Sequence, residues 1–284
     1  MRVVVSLVIA LVASLGGTAL LWYGGGNTVL RMSQYAADGD AGLLPLLAGA
    51  GALLLGVAGV SVRWSPLGAI AAGGVHVLFA LVALLVPTTT SGVGSPAIRF
   101  LDLLVDIDPG LASGGFYLVA FGGTLLIGAA LLGVGILSRP SRPRLGWRIA
   151  SGAGGLLALG AAGWAFAAGG EFSRRAFQML AWDLGAALAV TLAALLFGAL
   201  IAPSGRSPIG AWIAGPVLAL LGIILLVAEP TAYADAPSGV LATLPVLGWS
   251  GAVLAVGLSV TGLALGVTLR PLPASGQETD ARAV

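Results

Sequence analysis

Arg63-Trp64-Ser65-Pro66-Leu67-Gly68-Ala69 is a short polar turn between two long apolar runs, and it returns as Arg206-Ser207-Pro208-Ile209-Gly210-Ala211. The two arginines are 206 − 63 = 143 residues apart. In each copy the serine can accept a bond from an unpaired first-turn amide, and proline at the first helical position has no amide to satisfy. Each turn therefore reads as a helix start, with Arg63 and Arg206 at headgroup level. The echo predicts two tandem copies of one unit.

The runs on either side decide the class. The chain of 284 residues is 58% hydrophobic and 8% charged, with a mean hydropathy of +1.05. Soluble domains carry about 25% charged residues. Here the apolar residues come in blocks of about twenty, the length that crosses the hydrocarbon core as a helix. An integral membrane protein is expected. The net charge of +2 comes from scattered arginines with no lysine, and no basic cluster is backed by aromatics, so nucleic acid is not an expected partner. With no cysteine, disulfides, thiolate nucleophiles and cysteine-bound metals are excluded. The Ala, Gly and Arg bias points to a bacterial source.

Eight spans are predicted, at roughly 3–23, 42–62, 66–86, 115–137, 147–168, 181–202, 208–228 and 247–269. The first could pass for a signal peptide, but the fifth span is its counterpart, so it is expected to stay. Arginines set the orientation. With the N-terminus inside, Arg2, Arg63, Arg139, Arg142, Arg144, Arg148, Arg206, Arg270 and Arg282 are cytoplasmic, whereas most acids and all four tyrosines lie outside. Both termini are then cytoplasmic and the location is the plasma membrane.

At the same offset of 143, Gly17 meets Gly160, Arg31 meets Arg174 and Asp40 meets Asp183, while Arg139-Pro140 meets Arg270-Pro271 at 270 − 139 = 131. The expected fold is all-α, with eight transmembrane helices as two tandem four-helix repeats in the same orientation and short outer interfacial helices. The first repeat covers 1–142, the second 146–273, and 274–284 is a flexible tail. About twelve extra residues (143 − 131 = 12) fall in the first outer loop, at 97–108. As a helix that segment puts Arg99, Asp102 and Asp106 on one face, with Ile98, Leu101 and Val105 toward an apolar neighbour and Asp108-Pro109-Gly110 ending it.

Asp40 and Asp183 begin the second and sixth spans as helix caps. Arg31 and Arg174, nine residues earlier, are close enough to pair with them across an outer loop. These four groups, with Arg99, Asp102 and Asp106, are the candidate contacts for a partner or an anionic lipid headgroup. His76 lies ten residues beyond Pro66, about 15 Å along a helix, which makes it the candidate intramembrane polar site. One histidine cannot supply bis-histidine haem ligation or a metal cage, and the spacing of Asp102, Asp106 and Asp108 fits no EF-hand loop. Small residues at four-residue spacing (Ala48, Ala52, Gly56; Gly262, Gly266) predict close helix approach.

No P-loop, HExxH or nucleophile elbow occurs, so neither catalysis nor a cofactor is expected. The expected role is a non-catalytic accessory or assembly subunit that holds another membrane protein. The alternative is a small transporter or lipid carrier working between the repeats.

Overall fold

The computed structural model describes residues 1–33, 42–86, 96–139, 143–178, 182–227 and 243–271. Among them every regular element is helical: α1 (Arg2–Ser33), α2 (Leu43–Val60), α3 (Pro66–Leu85), α4 (Pro96–Val105), α5 (Pro109–Ala120), α6 (Gly123–Leu137), α7 (Leu145–Gln178), α8 (Leu184–Ile201), α9 (Ile209–Val227), α10 (Leu244–Trp249) and α11 (Ala252–Thr268). Six of these, α1, α2, α3, α7, α8 and α9, are long and apolar enough to cross a membrane. The pair α5 and α6 makes a seventh if its 60° bend is taken as a broken span. Leu46, Leu53, Leu78 and Leu220 are more than half exposed on these helices, as side chains facing lipid would be. Several apolar helices of this kind are compatible with a multi-pass membrane protein.

The first turn is built as expected at Ser65, whose side chain accepts from Leu67 N at 3.3 Å with Pro66 next in line. It is also held from outside. Ser6 Oγ, fully buried in α1, donates to the carbonyls of Ser61 (3.0 Å) and Ser65 (2.8 Å). In the other turn Ser151 of α7 donates to Ser207 O and accepts from Gly210 N at 2.8 Å. Arg206 is not a free headgroup anchor: its Nε donates to Leu137 O at 2.9 Å at the end of α6, and its guanidinium sits 5.2 Å from the centre of the Trp147 ring.

Two spans are longer than expected. α1 does not stop near 23, nor α7 near 168; they run for 32 and 34 residues. Both expected ends fall just before glycines, Gly24-Gly25-Gly26 and Gly169-Gly170, and glycine weakens a helix. Tertiary packing overrides that preference. A Cβ at Gly24 would stand 2.5 Å from Ala48 N of α2, one at Gly25 would overlap Ser250 O, and one at Gly169 would stand 2.5 Å from the Phe121 backbone. These glycines mark where another backbone lies against the helix.

The expected fourth span, 115–137, is broken. α5 ends at Ala120 and α6 begins at Gly123, with Gly122 between them at φ +76°, a left-handed conformation that a side chain would strain. Gly251, at φ +71°, separates α10 from α11 in the same way. Asp108 does not end α4. It caps α5, accepting from Leu111 N at 2.7 Å.

The interior is a lattice of small residues. α2 lies along α11, and α6 along both α3 and α8. Ala48, Ala52 and Gly56 of α2 are all buried, as are Gly262 and Gly266 of α11. A Cβ added at Gly262 would collide with Gly56 O, and one at Gly59 would stand 2.7 Å from Ser259 O. Without water to expel between helices, such close backbone contact is a main source of association.

Candidate functional site

His76 projects from the middle of α3 and is 4% exposed. Its Nδ1 lies 3.0 Å from Ala72 O, one turn earlier. A carbonyl only accepts, so this contact puts the ring proton on Nδ1 and leaves Nε2 as an acceptor. Thr18 Oγ1 of α1, at 3.2 Å, donates to it. Ser14 Oγ is 3.4 Å from Nδ1. Ser14, Thr18 and Trp22 form one stripe of α1, four residues apart, facing α3. That spacing was legible in the sequence, where no partner for His76 was named.

His76 and Thr18 line a cavity of about 310 Å³. Its walls are Leu15, Thr18, Ala19 and Trp22 of α1 and Val75, His76 and Phe79 of α3. Phe100 and Leu104 of α4, Leu111 of α5 and Thr124 of α6 close it. The rings of Trp22 and Phe79 lie 5.8 Å apart, and Phe100 meets Phe79 edge-on at 6.3 Å. Leu15, Ala19, Val75 and Phe100 are exposed, so the mouth opens sideways between α1 and α3.

Two polar atoms of residues in this wall have no partner in the protein: Trp22 Nε1 and Thr124 Oγ1, on residues 8% and 2% exposed. An unsatisfied buried donor costs roughly 1–3 kcal/mol. Thr124→Val is therefore expected to raise the stability of the free protein by about 1 kcal/mol, read as a higher melting temperature in detergent. A lower melting temperature would show that the hydroxyl has a protein partner.

The cavity exists because α4 and α5 are held over it. Gly114 lets α5 lie on the α1 backbone, where a Cβ would overlap Trp22 O, and Gly110 leaves room for the Asn27 side chain. Asn27 Nδ2 of α1 donates to Asp108 Oδ1 at 3.0 Å, so Asp108 ties this unit down while it caps α5. On α4 Leu101 is buried, 4% exposed, and Phe100 and Leu104 line the cavity with Phe100 at its open rim, whereas Val105 is exposed and lines no part of it. Val105 was expected to face inward. Instead α4 turns its Phe100–Leu104 side toward α3, where Phe79 offers a ring.

None of the other candidates whose side chains are described lines the cavity. Arg31 is in the last turn of α1, and Asp40 lies outside the described residues. Asp106 is exposed in the turn after α4; the side chains of Arg99 and Asp102 are outside the described part. Asp183 caps α8, accepting from Ala186 N at 3.1 Å, as the cap reading required. Its ionic partner is Arg175, not the expected Arg174. Because α7 continues past 168, Arg174 falls one turn from Glu171 and binds it through two bonds of 3.0 and 2.8 Å, while Arg175, about 100° further round, reaches both Glu171 and Asp183.

At the N-terminal end of α1, Arg2, Arg63, Trp64 and Pro271 border a smaller hollow of about 200 Å³. No family model matches the chain, and neither a curated protein nor a solved structure is similar to it.

Proposed function

We propose that this is a non-catalytic accessory protein of the bacterial plasma membrane that holds a lipid-soluble molecule in the lateral cleft between α1 and α3. The cavity beneath α4, open sideways through exposed apolar residues, carries that reading. Pockets that take small ligands are mostly apolar with a few placed polar groups, and about 300 Å³ is the lower end of their range. The cleft thus takes a head or chain segment while the rest of the molecule stays in the bilayer.

The architecture proposed with it has eight crossings in two like halves, both termini cytoplasmic, with α10 and α11 as the eighth. Matching contacts support this. Gly56 lies against Leu258 and Gly198 against Ala129; Gly133 lies against Gly198 and Gly262 against Gly56. The pairs are related by 198 − 56 = 142 and 262 − 133 = 129, the latter also separating Gly122 from Gly251. These registers differ by one or two residues from those of the arginines, and they make Leu218 the counterpart of His76 (218 − 76 = 142). Each half lends its second helix to the last helix of the other, which locks the halves together.

A carrier working between the halves is disfavoured by the same contacts, since a Cβ at Gly262, Gly56 or Gly198 finds backbone within 3.1 Å. The Glu171–Arg174–Arg175–Asp183 group holds two charges of each sign, which favours a latch between α7 and α8 over an anionic headgroup site. The accessory role leaves the outer surface around α4 to a membrane partner.

Ala19→Trp, a substitution on the exposed rim, tests the reading. Protein purified gently from native membranes is expected to carry a lipid-soluble species by mass spectrometry. The variant, equally folded, should carry at least about ten-fold less, the loss of about 1.4 kcal/mol of binding. Equal retention in both proteins would overturn the assignment.

A further inference from the structure

The two copies of the turn use their arginines differently. Arg206 donates to Leu137 O and lies over Trp147. Arg63, at the matching place, lies over the Trp64 ring at 5.8 Å, and its guanidinium takes part in no hydrogen bond or ion pair among the described residues. The nearby carbonyl of Val62 is already taken, by Arg270 Nη2. The Arg2 guanidinium, in the first turn of α1, is likewise unbonded among the described residues. Both guanidinium groups border the hollow of about 200 Å³, with Trp64 and Pro271.

No described carboxylate lies on this side of the bundle. Gly135 of α6 packs against Pro66 O, and Gly205 against Leu137, so the start of α3 and the ends of α6 and α8 share one side. Asp183, at the start of α8, is 18 helical residues or about 27 Å from that end, and Glu171 joins it through Arg175. Asp108, with Asp106 beside it, bonds Asn27, which is 27 − 2 = 25 residues and about 38 Å along α1 from Arg2. The hollow is therefore a cationic recess with no described counter-charge. It also lies at a membrane boundary, because α2 and α3, on either side of the turn, are both long and apolar enough to cross. Val5 and Val8 follow Arg2 along α1 and Leu67 follows Trp64 into α3, and all three are exposed.

We propose that this hollow binds the phosphate of one anionic phospholipid from the leaflet that meets the start of α1. Arg2 and Arg63 donate to the phosphate oxygens, whose geometry a guanidinium fork matches. Trp64 stands at glycerol level, where an amphipathic ring is at home, and the acyl chains run along Val5, Val8 and Leu67. A zwitterionic head brings its own cation, which two arginines repel. A soluble phosphate offers the same head but gains nothing from the apolar rim. The site is 15 − 2 = 13 residues, about 20 Å, along α1 from Leu15 of the lateral cleft, and does not depend on what the cleft holds.

The test titrates the full-length protein, in an uncharged detergent, with dioleoyl phosphatidylglycerol, dioleoyl phosphatidylcholine and glycerol phosphate, and counts bound molecules by native mass spectrometry. One phosphatidylglycerol should bind at least about ten-fold more tightly than phosphatidylcholine, the difference that charge-assisted bonds supply. Arg2→Gln combined with Arg63→Gln should abolish that preference without changing the melting temperature, and each single variant should weaken it at least about three-fold. Arg148→Gln, which removes an exposed charge from α7 away from the hollow, should leave it within about two-fold. Equal affinity for the two lipids, or indifference to both single variants, would overturn the proposal. So would an equal loss in Arg148→Gln, which would mean that net charge and not a site attracts the lipid. Glycerol phosphate binding as tightly as phosphatidylglycerol would overturn the lipid as occupant.

Discussion

Gly262→Leu is expected to prevent the two ends of the chain from assembling. A Cβ alone at this position would sit 2.0 Å from Gly56 O and 2.7 Å from Gly56 C, atoms of a backbone that cannot swing aside as a flexible side chain could. Overpacking usually costs about 1–3 kcal/mol, and more where backbone must move. A loss of at least about 3 kcal/mol is expected, seen as failure to purify as a monodisperse species or as a large drop in melting temperature. The counter-case lies in the same sequence. Gly160 of α7 and Gly74 of α3 have nothing within 4 Å of a built Cβ, so Gly160→Ala and Gly74→Ala should leave stability unchanged or raise it by up to about 1 kcal/mol through helix propensity. If Gly262→Leu and Gly160→Ala behaved alike, the contact between α2 and α11 would be misplaced.

Gly114→Val should lift α5 from α1 and take the cavity with it. The new Cβ would fall on the backbone of Trp22, so α5 could stay in place only by displacing α1. With α5 goes the seat of α4: the notch at Gly115 that receives Leu101, and the Asn27–Asp108 bond. A stability loss of about 2–4 kcal/mol is expected, together with loss of any molecule retained by the wild type. Hydrogen exchange should quicken in α4 and α5 before it quickens in α8 or α9. Unchanged exchange in α5 would show that its close approach to α1 is not what supports the site.

The two variants also mark which features could be read along the chain. The apolar runs of α2, α3, α8 and α9 were legible to within a few residues, because a helix that crosses lipid must satisfy its backbone within itself and be apolar throughout. The caps at Ser65 and Asp183 were legible because each acts on an amide two or three residues away. The repeated turn was legible for the same local reason. Of the candidate site, His76 stood out as the single histidine, but its cavity did not.

Local rules failed where the reason lay in another helix. The expected spans ended just before Gly24-Gly25-Gly26 and Gly169-Gly170, yet these glycines lie inside longer helices and form contact surfaces. Asp183 was assigned Arg174 and took Arg175, because the length of α7 decides which arginine faces α8. Hydrophobicity and capping act within a turn or two, so residue order alone settles which segments become apolar helices and where most of them start. Close approach of backbones, the partner of a charge and the shape of a cavity depend on atoms far away in the chain, and only the packing of the helices against one another sets them.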